Sequence, residues 1–208
     1  MTQMDLFNNE KLRNGNLLPR DGTVIYLGKV FTETEADHYL QLLFETIPWK
    51  NDEVQMFGKK IITARKMAWF GDAEFEYTYS KITKKAQLWT PELMLLKTRI
   101  EEKSGETFNS CLLNLYPSGK EGMGWHSDAE KDLKPNSTIA SLSFGAVRKF
   151  EFRHKKTKRT VSIILEHGSA LLMKDCTQTH WHHRLPTARH VESLRINLTF
   201  RNIEVNRN

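Results

Sequence analysis

The chain has 208 residues, 39% of them hydrophobic and 10% aromatic, which is enough apolar material for one domain with a continuous core. No run approaches the ~20 apolar residues of a membrane span, the N-terminus lacks the apolar stretch of a secretory signal, and two cysteines, Cys111 and Cys176, make no disulfide framework. Membrane and disulfide-scaffold classes are thereby excluded, a reducing cytoplasmic setting is expected, and the net charge of +6 favours a polyanionic partner.

In chain order, residues 1–20 read as a flexible tail in which Gln3-Met4-Asp5-Leu6-Phe7 carries two apolar anchors. Residues 21–208 read as a single domain, since no repeat, linker or low-complexity segment divides them. A helix is predicted from the capping box Thr32-Glu33-Thr34-Glu35, with Ala36, Tyr39, Leu40, Leu43 and Phe44 following at helical spacing. Gln55-Met56-Phe57-Gly58-Lys59-Lys60 reads as an exposed turn that puts an aromatic beside a glycine and two lysines. A second helix is predicted to begin at Thr90-Pro91, with proline in the first helical position, and to end at Gly105. Both helices should pack on a sheet rather than act.

Short strands dominate after residue 110. Asn114 to Gly119 looks like a strand running into a turn, and Gly122 to Trp125 leads into His126-Ser127-Asp128. The basic run Arg153 to Arg159 lies between two strand-like stretches, 149–152 and 161–165, so it reads as a hairpin tip able to follow phosphates without reading sequence. Thr179 to Pro186 holds three histidines. If that segment is extended, Trp181 and His183 share one face and His180 and His182 the other; spacing alone selects none of them. Leu194 to Arg201 alternates strictly, with Leu, Ile, Leu and Phe on one face and Arg195, Asn197, Thr199 and Arg201 on the other. That pattern predicts a half-buried strand whose polar face meets water or an anionic ligand. Arg195 and Arg201 would stand roughly 20 Å apart along it, so they would flank a dicarboxylate rather than grip one carboxylate together.

His126, Asp128 and a downstream histidine supply two imidazoles and one carboxylate. On one face of an octahedral ferrous ion, that set leaves the opposite positions free for a cosubstrate and dioxygen.

Taken together, N-x-Y (Asn114, Tyr116), H-x-D (His126, Asp128), the run Ser141 to Ala146, T-H-W-x-H-x-L-P (Thr179 to Pro186) and R-x-N-x-T-x-R (Arg195 to Arg201) resemble the AlkB family of Fe(II)- and 2-oxoglutarate-dependent dioxygenases. The similarity spans roughly residues 25 to 203 and is closest to the branch that repairs alkylated bases in DNA, duplex DNA included. The resemblance implies a double-stranded β-helix, or jelly roll, mainly β with N-terminal helices packed on one sheet. The jelly-roll core would cover about 107–203 and a nucleotide-recognition lid about 50–85. It also selects His183 as the third iron ligand beside His126 and Asp128. Asn114, Tyr116, Arg195, Asn197, Thr199 and Arg201 become 2-oxoglutarate contacts, Arg195 at the distal carboxylate and Arg201 near the metal-bound end. An arginine fork suits a carboxylate because it donates two parallel hydrogen bonds and stays charged when desolvated.

The implied reaction oxidises N-methyl groups of the 1-methyladenine or 3-methylcytosine type with Fe(II), 2-oxoglutarate and O2, releasing succinate, CO2 and formaldehyde. Phe57 matches the residue by which this branch fills the base stack, with Gly58 and Lys59 beside it, and Arg65, Tyr77, Thr78, Tyr79 and Glu130 match the base-pocket region. One departure is Ala129, where duplex-repairing relatives often carry an acidic residue; Glu130 follows it. Gln3 to Phe7 is similar to the peptide by which bacterial DNA enzymes dock on the sliding clamp. The chain is expected to be a monomer. The alternatives are the same chemistry on RNA or protein, and a non-catalytic nucleic-acid-binding module.

Overall fold

The computed structural model describes residues 15–56, 59–79 and 82–204. Strand β1 (Thr23–Lys29) leads to helix α1 (Glu33–Thr46), which starts where expected: the Thr32 hydroxyl accepts the Glu35 N–H while the Glu35 carboxylate accepts the Thr32 N–H. These reciprocal bonds satisfy two donors that a helix start leaves open. Strands β2 (Lys50–Met56), β3 (Lys59–Gly71), β4 (Glu76–Tyr79), β5 (Ile82–Lys85) and β6 (Gln87–Leu88) follow. Helix α2 (Pro91–Ser104) is capped by the Thr90 hydroxyl and stops at Gly105, whose φ of +70° is a conformation that glycine adopts without strain.

The second half supplies β7 (Ser110–Tyr116), β8 (Met123–His126), β9 (Ile139–Gly145), β10 (Arg148–His154), β11 (Thr160–Leu165) and β12 (Ser169–Lys174). A one-turn helix α3 (Thr177–His180) then precedes β13 (Trp181–Leu185) and β14 (Arg195–Arg201). Among the described residues the strands form a large sheet in the order β1-β12-β9-β14-β7-β3-β2, with β6 alongside β3, and a smaller one in the order β11-β10-β13-β8. The expected jelly roll is present, but β1 and the β2–β3 hairpin belong to its large sheet, which therefore reaches beyond 107–203.

Alternation along the strands sorts the core into two layers. On the outer face of the large sheet, Leu113, Leu142, Phe144, Ile196, Leu198 and Phe200 meet Leu43, Leu93, Leu96 and Ile100 of the two helices, all nearly solvent-free. Each such side chain contributes about 1.5–3 kcal/mol. Between the sheets, Val24, Tyr26, Leu171 and Met173 meet Phe152, Ile163, Leu165 and Trp181.

Phe44, at an apolar helical position, is 48% exposed, because the buried stripe of α1 is narrow and centres on Ala36 and Leu43. Within the segment read as a tail, residues 16–20 lie against the domain. Leu18 is buried against the inter-sheet core, and the Asn16 side chain accepts the N–H groups of Leu18 and Val24 and donates to the Gly22 carbonyl, fixing the chain from Asn16 onward.

Candidate active site

Three strands of the large sheet lay out one wall of the site. In β14, Arg195 lies opposite Tyr116 of β7 and Gly145 of β9, Asn197 opposite Asn114 and Ser143, and Thr199 opposite Leu112 and Ser141. Residues paired across neighbouring strands point to the same side, so this polar row faces into the space between the sheets. The predicted half-buried strand is thus buried on both faces: Arg195 is only 2% exposed and Thr199 is also buried.

Arg195 donates from Nη2 to Ser143 Oγ at 2.8 Å and to Asn197 Oδ1 at 2.6 Å, while its Nε finds no hydrogen-bond partner and its guanidinium lies 5.6 Å from the Tyr116 ring centroid. No carboxylate of the described residues pairs with it. Burial, with no carboxylate beside it to compensate, pulls its pKa down to about 10. Asn197 also accepts from Ser141 Oγ and donates to Thr199 Oγ1, so it orients the arginine through a closed set of hydrogen bonds.

The small sheet forms the opposite wall. His183 of β13 lies directly opposite His126 of β8, with ring centroids 4.2 Å apart. Asp128 follows two residues after the end of β8, and its Oδ1 stands 3.6 Å from His126 Nε2 and 3.8 Å from His183 Nε2. One ligand atom from each of the three residues fits within 4.8 Å of the others. His126 Nδ1 is 2.8 Å from the Gly124 carbonyl, which places its proton there and leaves the Nε2 lone pair for a metal. His183, between Phe150 and Phe152, has its pKa lowered to about 3 by burial and so is neutral, the form a metal requires. Its Nδ1 is buried without a hydrogen-bond partner.

Burial alone would raise the Asp128 carboxyl, but the Arg201 guanidinium, donating from Nη2 to Oδ2 at 2.8 Å, outweighs it and holds the group below the usual carboxylate range. The backbone N–H of Asp128 donates to Gln178 Oε1, and Ser127 Oγ to the Trp181 carbonyl, so α3 and the start of β13 seat the H-x-D loop. A 330 Å³ cavity opens beside Asp128, lined by Glu130, Arg201, Gln178 and Lys134 among others. The donor set and the free guanidinium fit Fe(II) and a dicarboxylate respectively.

Among the predicted site residues, His126, Asp128, His183, Asn114, Tyr116, Arg195, Asn197, Thr199 and Arg201 converge on this inter-sheet space. Arg201 is engaged by protein carboxylates, with Nη1 3.8 Å from Glu130. Arg65 is buried, ion-paired with Asp52 and 3.0 Å from Met123 Sδ. Lys59 lies in β3 and Tyr77, Thr78 and Tyr79 in β4, where the backbone is what is described; Phe57, Gly58 and Gln3 to Phe7 fall outside the described residues. His180 ends α3 instead of joining the strand, and His182 points away from His183 on the other face of β13. Sequence reasoning missed Ser143 and Gln178, whose partners are 52 and 50 residues away; Ser143 carried a signal in the alternation of Ser141-Leu142-Ser143-Phe144. It also missed Arg148, a fully buried guanidinium that donates to the carbonyls of Ser118, Glu121 and Pro186.

A two-histidine, one-carboxylate centre between the sheets of a jelly roll, with a buried arginine awaiting a carboxylate, defines a non-haem iron oxygenase with an organic acid as cosubstrate. Residues 23–201 match the 2OG-Fe(II) oxygenase superfamily. The chain belongs to that superfamily and, within it, to the AlkB family: it is an Fe(II)- and 2-oxoglutarate-dependent dioxygenase. It is 42% identical over 185 residues to the DNA oxidative demethylase ALKBH2 of Mus musculus, which covers 84% of this chain and 77% of the relative. It is 43% identical over 182 residues to alpha-ketoglutarate-dependent dioxygenase alkB homolog 3 of Rattus norvegicus, over 81% of this chain and 60% of that protein. A solved structure described as that of OsALKBH1 shares the fold, with a TM-score of 0.56 at 15% identity over 89% of this chain and 99% of the other.

Proposed function

We propose that this enzyme oxidatively demethylates N-alkylated bases of the 1-methyladenine and 3-methylcytosine type in DNA, a repair reaction. The observation that carries the reading is the convergence of His126, Asp128 and His183 opposite a buried Arg195 that has no carboxylate partner among the described residues. The naming of the ALKBH2 relative as a DNA oxidative demethylase supports the choice of substrate.

His126, Asp128 and His183 would hold Fe(II), and Arg195, steadied by Ser143 and Asn197, would hold the distal carboxylate of 2-oxoglutarate. Iron held by these three residues, together with 2-oxoglutarate and O2, would supply the hydroxylation of the N-methyl carbon, one oxygen atom going to that carbon and the other to succinate, with CO2 lost. The hydroxymethyl group then leaves as formaldehyde and the base is restored. Asn114, Tyr116, Thr199 and Arg201 would complete the acid pocket, while Phe150 and Phe152 keep the His183 side dry.

The hairpin between β10 and β11 supports a nucleic-acid partner through Lys156, Lys158 and Arg159, which are exposed. Three other residues of the run are engaged within the protein: His154 is buried beside Asp21, Lys155 donates to the Gln178 carbonyl, and Arg153 lies on Trp125. Phe57, Gly58, Lys59, Arg65, Tyr77, Thr78, Tyr79 and Glu130 are assigned to the flipped base and the stack it leaves. Gln3 to Phe7 is assigned to sliding-clamp docking, and the protein to the cytoplasm as a monomer. No helix among the described residues is long and apolar enough to cross a membrane.

Formaldehyde release from one methylated base presented in DNA, in RNA and in a methylated peptide tests the substrate class. DNA should be turned over fastest, and a preference for the peptide would overturn the reading. Phe57→Ala should lower activity on duplex more than on single-stranded DNA. Leu6→Ala with Phe7→Ala should abolish binding to purified clamp.

A further inference from the structure

We propose that Trp125 is a positioning residue for the iron centre: its indole, laid against Arg153 and Arg184 on the outer face of the small sheet, pins the short edge strand that carries His126. The proposal rests on the reading of His126 as an iron ligand.

Strand β8 has four residues, lies at the edge of its sheet and pairs with β13 alone, with a register shift between the His183 and Leu185 positions. A short edge strand with an irregular ladder is the part of a sheet most prone to local opening. His126 is its last residue, so opening there displaces a ligand. The hydrogen bonds of Ser127 and Asp128 hold the loop beyond it, and the strand itself needs a hold of its own.

With His126 turned inward, strand alternation sends Trp125 outward. Its ring centroid lies 4.3 Å from the Arg153 guanidinium carbon and 4.5 Å from that of Arg184. Arg184 stands in the neighbouring strand β13, but Arg153 stands one strand further, in β10, to which β8 makes no hydrogen-bonded ladder. The indole therefore ties the edge strand across the sheet by cation–π attraction. Both cations are themselves set in place. Arg184 donates from Nε to Glu151 Oε2 at 2.6 Å, and Glu151, 5% exposed and also paired with Lys149 at 2.6 Å, offsets the repulsion of two guanidiniums at one ring. The backbone of Arg153 is held on both sides, by the β10–β11 and β10–β13 ladders.

The test is metal affinity of the full chain, stripped of metal and titrated with Fe(II) without oxygen, alongside thermal melting and amide hydrogen exchange at residues 123–126. Trp125→Ala should weaken Fe(II) binding about 10-fold or more and speed exchange in β8, as loss of a supporting group around a metal ligand does. Trp125→Phe should regain most of the affinity, and Arg153→Met, which keeps the indole, should fall between. Should Trp125→Ala not fold, the Arg153→Met result decides. A lower melting temperature with unchanged Fe(II) affinity in these variants overturns the proposal, since a merely structural role predicts that. His126→Ala is the control: if it binds Fe(II) like the wild type, the site reading falls and takes the proposal with it.

Discussion

The Arg201 guanidinium and the Asp128 carboxylate meet across 73 residues of sequence, Nη2 donating to Oδ2 at 2.8 Å. The contact turns the carboxylate so that Oδ1 faces His126 and His183. Lysine in this place would keep the charge but lose the planar group that reaches Asp128 from Nη2 while Nη1 faces Glu130. Arg201→Lys should lower metal affinity by about 10–100-fold, and Arg201→Met by more. Calorimetric Fe(II) titration checks this; equal affinity in all three proteins would refute it.

Arg195 makes a prediction that separates cosubstrate binding from folding. A buried guanidinium without a counter-ion is a burden on the free protein, and an arriving carboxylate removes it. Adding 2-oxoglutarate should therefore raise the melting temperature of the wild type but not of Arg195→Met. The variant's KM for 2-oxoglutarate should rise about 10–100-fold, matching loss of a charged hydrogen-bonded pair of ~1.5–3 kcal/mol. A shared thermal response would assign the carboxylate to another residue.

Two glycines close to the site should behave in opposite ways. A Cβ on Gly119 would lie 2.0 Å from the Ala188 carbonyl oxygen, in a place where the Ala188 N–H donates to the Gly119 carbonyl, the Gly119 N–H to the Val191 carbonyl and the Val191 N–H to the Ala188 carbonyl. Gly119→Ala should cost roughly 2–4 kcal/mol, a large loss for one methyl, because backbone must move. At Gly124, two residues before His126, a Cβ meets nothing within 4 Å, and Gly124→Ala should change stability by less than about 1 kcal/mol. Denaturant unfolding of both variants measures the contrast.

Glu151 predicts how stability responds to acid. Burial raises its carboxyl, but the hydrogen bonds from Lys149 and Arg184 prevail and hold it below the ordinary glutamate value. A depressed folded pKa means that this contribution is complete above the unfolded value of about 4.3 and is lost as pH falls through the folded one. Melting temperatures recorded from pH 6 downward should therefore fall more steeply for the wild type than for Glu151→Gln below that value. Parallel curves would show that the two ion pairs contribute nothing.

What could be read from the chain follows the range of the interactions. The capping box of α1, the proline start and glycine stop of α2, the β10–β11 hairpin and the alternation of β14 are local, and each stands where expected. The iron ligands were legible only through several motifs taken together, since spacing alone left three histidines open; the pairing of His183 with His126 makes that choice physically. Burial of the arginine face of β14 was not legible, because it depends on a second sheet closing over it. Neither were Gln178 and Arg148, whose acceptors and donors are backbone groups with no sequence mark.

The most direct measurement is the joint yield of formaldehyde and succinate from 1-methyladenine in DNA, for the wild type and His183→Ala, with and without Fe(II) and 2-oxoglutarate. Formaldehyde should appear with succinate in equal amounts from the wild type only when both are present, and the variant should release neither. Methyl loss without succinate, or undiminished turnover by His183→Ala, would contradict the account.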